Sequence, residues 1–309
     1  MLHADRLVAR SMRHSDSGMI RQSRVLGVAD RSSAGGPRNQ ALARNLKILI
    51  SCAYLTFAWP IRTLKRPFRT GQSASLVILY YHGVSRSQRA GFARQMEFLQ
   101  RHASIVPADW RGGPIKGRVC AITFDDGFVS TFDNALPELQ ARQLHCTIFV
   151  PPGVMGRAPD WQTEEGVTRD EVVADADTIK RFMSPLVAIG SHTLSHCRLS
   201  RIPRDIARSE VERSRAVLDA TLGQDTRLIS FPYGDHDGAV ADLCEKAGYE
   251  FMYSIEPVPV NPRSLDRVRG RVSVSPDDSL LEIYLKSAGG YRWMPVASAI
   301  KRWIRRGRS

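Results

Sequence analysis

The sequence has no apolar run long enough for an ordinary membrane span, no CxxC spacing among its cysteines and no glycine-rich phosphate loop behind any apolar segment. The most extended apolar stretch, ILISCAYLTFAWPI at 48–61, is fourteen residues long, against the ~20 that cross a bilayer. It suits an interfacial or signal-anchor segment, or a helix docked on the body, and the basic residues at both of its ends give no orientation. Five cysteines, Cys52, Cys120, Cys146, Cys197 and Cys244, are an odd and scattered set. They exclude a complete disulfide framework and read as small core residues. Without a GxGxxG or GxxxxGK[ST] loop, the nucleotide-binding readings weaken, and there is no internal repeat.

Acidic residues are scarce at the two ends. Residues 1–75 hold 13 Lys/Arg against 3 Asp, and the final KRWIRRGRS adds five more basic residues. Residues 76–300 carry 26 basic and 28 acidic side chains. The overall charge of +13 therefore belongs to the ends, which argues against a nucleic-acid groove and for contact with anionic surfaces. Residues 1–45, rich in Arg, Ser and Gly, are expected to be disordered. Residues 46–70 form an apolar and basic segment, a candidate membrane-associated helix. Residues 71–295 form the main domain, and residues 296–309 a basic tail.

From residue 76 onward short apolar runs alternate with helical periodicity. Strands are expected at 76–81, 119–124, 146–150, 186–190, 227–231, 249–255 and 271–274, and helices near 90–102, 131–142, 168–183, 204–221, 237–247 and 278–287. This rhythm predicts an α/β fold, a distorted and partly open (β/α) barrel of about seven parallel strands.

Residues of catalytic type stand where those strands end, the side on which parallel barrels carry their active sites. LYYHGV places His82 after the first strand, TFDDG places Asp125 and Asp126 after the second, GSHTLSH places His192 and His196 after the fourth, and SFPYGDHD follows with Pro232 and Tyr233. Histidines at i and i+4 can share one metal ion, and Asp126 can supply a third ligand. A bound divalent ion would relieve the repulsion between adjacent carboxylates and acidify a water whose proton Asp125 could take. Taken singly, an HxxxH pair or an Asp-Asp-Gly turn is also commonplace in structural roles. In the loop after the third strand, Trp161 can stack on a sugar ring or simply pack. The segment 151–178 is the longest interruption after TFDDG and is the candidate substrate-selecting loop.

TFDDG, SHTLSH and FPYG together resemble the motifs of the polysaccharide deacetylase family, the NodB homology domain, over residues 76–293. The resemblance implies a metal-dependent hydrolase that removes N-acetyl groups from N-acetylhexosamine units of a poly- or oligosaccharide. Asp125 would be the base, Asp126, His192 and His196 the ligands of a divalent metal, usually zinc, and the Tyr233 N–H an oxyanion donor. Two features depart from many members. Ser230 stands where an arginine orients the catalytic Asp, and no histidine follows His236 to supply a late catalytic acid. A circularly permuted branch, including poly-N-acetylglucosamine deacetylases, is similar in taking that acid from an early YH strand, which implicates His82. The orienting arginine would then come from RVRGRVSV, with Arg271 favoured over Arg267 and Arg269. The readings left beside this one are a catalytically silent carbohydrate-binding protein on the same barrel, or a deacetylase of O-acetyl or peptidoglycan substrates. Expected localisation is at a bacterial membrane or exported to the periplasm or cell surface, with the cytoplasm as the alternative.

Overall fold

A computed structural model describes residues 37–64, 75–161, 171–264 and 266–306. The chain divides into two units, Met1–Arg44 and Asn45–Ser309. Of the first, only the opening turns of a helix are described. In chain order the elements are α1 (Pro37–Leu64), β1 (Leu76–Tyr81), α2 (Arg89–His102), β2 (Ser104–Ile105), β3 (Val119–Phe124), α3 (Leu136–Ala141), β4 (Cys146–Val150), α4 (Ala176–Phe182), β5 (Val187–Ser191), α5 (Arg204–Leu222), β6 (Leu228–Ser230), α6 (Gly238–Lys246), β7 (Phe251–Tyr253), β8 (Val268–Arg269), β9 (Val272–Ser273), α7 (Leu280–Ser287) and α8 (Met294–Arg306).

The strands pair in parallel in the order β8-β7-β6-β5-β4-β3-β1-β9, with β2 added beside β3. The two edges, β8 and β9, are separated in sequence by only Gly270 and Arg271. One short segment thus bonds to β7 on one side and to β1 on the other. Ser254 N–H donates to the Arg269 carbonyl, and Val274 N–H to the Tyr80 carbonyl. The sheet curls into a barrel drawn together at this seam.

Alternation within the strands builds two apolar layers. Leu76, Ile78, Val119, Ala121, Phe149 and Tyr253 cluster inside the curl, while Val77, Leu79, Cys120, Ile122, Ile148 and Val150 face outward under α2, α3, α4 and α7. A further outer cluster joins α5 and α6 to Ile229 and Met252. Burial on both faces is the reason these strands read as unbroken apolar runs rather than alternating ones.

Several elements differ from expectation. The helix expected over 131–142 is a π-helical segment, Thr131–Ala135, running into α3. β2 and β8, two residues each, carry too little pattern to be read from sequence. Residues 37–45, expected to be disordered, are helical, starting at a proline whose fixed φ suits the first helical position. Most of the expected basic tail is α8. The expected disorder of 1–36 and residues 65–74, 162–170 and 307–309 lie outside the described residues, including the middle of the candidate loop at 151–178. Within the second unit, Ile48, Cys52 and Leu55 of α1 pack on the outer cluster, and the Trp293 indole donates to Ser51 Oγ at 3.0 Å. No described helix is long and apolar enough to cross a membrane.

The seam has no room for a side chain at Gly270, where a Cβ would lie 2.4 Å from the Glu256 carbonyl oxygen and 3.0 Å from that of Val258. Gly270→Ala is expected to lose about 1–3 kcal/mol of stability in urea unfolding. Gly113→Ala, where a Cβ meets only the Trp110 ring at 3.7 Å, is the control and should change little. Equal effects at the two sites would disprove the tightness of the seam.

Candidate active site

The polar residues at the strand ends converge on one side of the barrel. Asp125 keeps the register of β3 one residue further, its N–H donating to the Tyr81 carbonyl. The chain then turns sharply, with Asp126 at φ 67° and Gly127 at φ 62°. A Cβ at Gly127 would press within 2.8 Å of the Val150 side chain, so only glycine fits there. The turn sends two adjacent carboxylates to different partners.

Asp125 meets Arg271. The Arg271 side chain is fully buried at the seam, with its guanidinium 4.7 Å from the Tyr80 ring centre and 5.3 Å from that of Phe149. Nη1 donates to Asp125 Oδ1 at 2.7 Å and to Thr123 Oγ1 at 3.2 Å. Nη2 donates to Asp125 Oδ2 at 2.8 Å and to Ser230 Oγ at 2.6 Å, and Nε to the Ser254 carbonyl at 3.1 Å. All five guanidinium N–H groups thus have acceptors. Burial alone would raise the pKa of Asp125. The Arg271 guanidinium, through its charge and its hydrogen bonds, opposes burial and holds the carboxyl well below the usual carboxylate range. Of the other two candidate arginines, Arg267 pairs with Asp242 and Glu245 at the surface, and Arg269 donates to the carbonyls of Ala108 and Trp110.

Asp126 meets His192 and His196. One ligand-type atom from each lies within 4.8 Å of the others, and all three residues are buried. His192 Nδ1 donates to the Ser230 carbonyl at 2.8 Å, which leaves the Nε2 lone pair free to face Asp126. Burial pushes His192 down to about 4, the nearby Asp125 only partly restoring it, so at neutral pH the ring is uncharged and able to ligate. The Nε2 atoms of His192 and His196 stand 3.7 and 3.1 Å from Asp126 Oδ1. Yet this buried oxygen has no aligned hydrogen-bond donor. Burial pushes the pKa of Asp126 up, but His196, His82 and His192 outweigh it and keep it lowered. Three ligand-type groups aimed at one point, an orphaned buried oxygen among them, fit a divalent cation.

The backbone around this point is strained. Among the described residues five non-glycine positions have positive φ, and four of them, Asp126, Thr193, His196 and Tyr233, lie in these motifs. Such conformations persist where surrounding structure overdetermines them, and they cluster at functional sites.

Comparison with known proteins bears directly on this geometry. A family model described as polysaccharide deacetylase matches residues 112–252. The structure of IcaB from Ammonifex degensii is similar with a TM-score of 0.58 and 27% identity, covering 71% of this chain and 98% of that one. The chain is a relative of the polysaccharide deacetylases. That likeness supports a hydrolase acting on carbon–nitrogen bonds. It is 25% identical to YxkH of Bacillus subtilis over 220 residues, 67% of this chain and 74% of that one. It is also 28% identical to the poly-beta-1,6-N-acetyl-D-glucosamine N-deacetylase of Escherichia coli K12, over 58% of this chain. The chain matches only 31% of that protein's length.

The remaining expected site residues gather at the same mouth. His82 stands half-buried one residue beyond β1, in register with Asp125 through the pairs Tyr80↔Thr123 and Tyr81↔Phe124. It stands near enough to Asp125 and Asp126 to be among the groups that lower both. Tyr233 is left-handed, φ 59°, and its ring meets His196 edge-on at 4.9 Å while the Arg198 guanidinium covers it at 3.7 Å. Pro232, before it, is buried. Trp161 lies flat on His196, with ring centres 4.1 Å apart, so one of its faces is already occupied. Sequence reasoning passed over Ser230 as a missing arginine. The structure places its carbonyl on His192 and its hydroxyl on Arg271. Thr123, which opens the TFDDG motif but was not singled out, and Ser254, which carries no sequence signal beyond its place after a strand, complete the guanidinium cage.

Two outcomes follow for stability. Arg271→Gln leaves the Asp125 carboxylate buried without its cation and is expected to cost about 3–5 kcal/mol in urea unfolding. Adding Asp125→Asn should recover part of that loss, and strictly additive losses would refute the coupling. In metal-free protein, the unfolded chain protonates His192 from about pH 6.5, whereas the folded ring resists protonation until about 4. Stability should therefore fall as pH drops through that window, on the order of 3 kcal/mol from this residue, and fall less steeply in His192→Gln. Parallel pH curves for the two proteins would exclude His192 as the source.

Proposed function

We propose that the chain removes N-acetyl groups from N-acetylhexosamine units of a poly- or oligosaccharide. On this reading the catalytic domain is 71–295, and Asp126, His192 and His196 hold a divalent ion, with zinc first among the candidates. The observation that carries it is the convergence of three buried ligand-type groups beside a carboxylate kept ionised by Arg271. When bound, the ion supplies an acidified water and positive charge against a developing oxyanion.

The chain's own groups divide the remaining work. Asp125 takes a proton at a carboxylate oxygen. Arg271 occupies one lone pair on each oxygen and leaves others free, so it fixes the carboxylate plane and its charge without blocking it. His82, in register with Asp125 on the neighbouring strand, donates a proton to the departing amine nitrogen. The Tyr233 N–H, turned by its left-handed conformation, donates to the oxyanion, a contribution of roughly 3–4 kcal/mol. Trp161 supports the ring of His196 and offers its other face to a sugar, with Pro232 setting the turn beside it.

The test is acetate release from β-1,6-linked N-acetylglucosamine oligomers by the full chain, as isolated, after chelation and with zinc returned. Release should vanish with chelator, return with zinc and be absent in Asp125→Asn. His82→Ala should lower kcat roughly 10²–10⁴-fold and change the pH profile. A chain that binds zinc yet releases no acetate from N- or O-acetylated glycans would be a binding protein, and the proposal would fail.

A further inference from the structure

Two helices outside the barrel carry apolar faces that the body leaves bare. In α1, Ile48, Cys52 and Leu55 recur at helical spacing on the side packed against the barrel. Leu46, Leu49, Ile50 and Phe57 fall on the opposite side, within an arc of about 100°, and all four are exposed, Phe57 by 75%. In α8, Val296, Ile300, Trp303 and Ile304 share a second arc of about 100°, and all are exposed, Trp303 by 76%. The same helical spacing sets sequence positions 301, 302, 305 and 306, each Lys or Arg, on the other side of α8.

The turn leading into α8 rests on α1. The Trp293 indole, just before α8, donates to Ser51 of α1 at 3.0 Å, and Leu55 lies close under the Gly290 turn. This region stands at the end of the barrel away from the active site. Ser287, which closes α7, takes contacts from Arg118 and Cys120 at the start of β3, the strand whose far end leads into Asp125 and Asp126.

We propose that α1 and α8 together form a docking surface for an anionic lipid bilayer, their apolar stripes entering the boundary between headgroups and acyl chains. Charge selects this occupant. No acidic residue follows Glu282, whereas seven Lys and Arg do, and a basic amphipathic helix with an exposed tryptophan has the chemistry of an interfacial anchor. The stretch from 76 to 300 holds slightly more acidic than basic residues, so the attraction is local to these helices rather than a general affinity for polyanions. A second copy of the chain would bring like-charged helices together. Docked by this end, the barrel holds its catalytic mouth away from the bilayer, towards a polymer outside it.

Sedimentation of the full chain with phosphatidylcholine vesicles, with and without phosphatidylglycerol, tests the surface. The chain should sediment with the anionic vesicles only, and high salt should release it. Ile300→Asp combined with Trp303→Asp should weaken binding at least about tenfold, with the unfolding midpoint unchanged. Lys301→Glu with Arg305→Glu should abolish the anionic preference while leaving the apolar stripe intact. Three results would each overturn the proposal: no sedimentation with anionic vesicles, equal binding by the double aspartate variant, or a dimer that this variant dissociates while vesicles bind neither protein.

Discussion

A guanidinium with every N–H satisfied, sealed inside the barrel, is the constraint around which the site is arranged. Arg271 draws acceptors from β3, β6 and the turn after β7, and it sits on the segment that joins the two edges of the sheet. Sealing an ion pair from water is costly, and such pairs are weak evidence for stability on their own. What this one does is restrict geometry. The seam can close only with Gly270 bare, and once it closes, Arg271 is delivered between Tyr80 and Phe149 and Asp125 is held ionised in one plane.

Ser230 connects that clamp to the second half of the site. Its hydroxyl receives Arg271, and its carbonyl receives the Nδ1–H of His192, so the orientation of the Asp125 carboxylate and that of a ligand-type imidazole depend on the same residue. Burial keeps His192 neutral, and the left-handed turn at Asp126 separates the two carboxylates that would otherwise repel each other. Strained backbone, a neutral buried imidazole and an orphaned carboxylate oxygen each cost stability alone, and one cation at the point where they meet would offset all three.

Beyond the barrel, chemistry is distributed differently. The body is close to electrically balanced, while the flanking segments are basic and carry apolar stripes facing solvent. The strand-end polar site and these exposed stripes thus occupy opposite ends of the second unit, and a change in one need not disturb the other.

β1, β3 and β4 were legible to the residue because both of their faces are buried, which leaves uninterrupted apolar runs ending in polar motifs. Asp125, Asp126, His192 and His196 were legible because each follows such a run. β2 and β8 were not, since two residues define no period, and residues 37–45 were misread because composition outweighed a proline at a helix start. Only the tertiary structure chose Arg271 among three nearby arginines and turned Ser230 from a missing arginine into a shared acceptor. Local spacing determines which strands form and what stands at their ends. Which distant side chains meet there depends on how the sheet closes, and closure is set by a steric fit at Gly270 that no local pattern records.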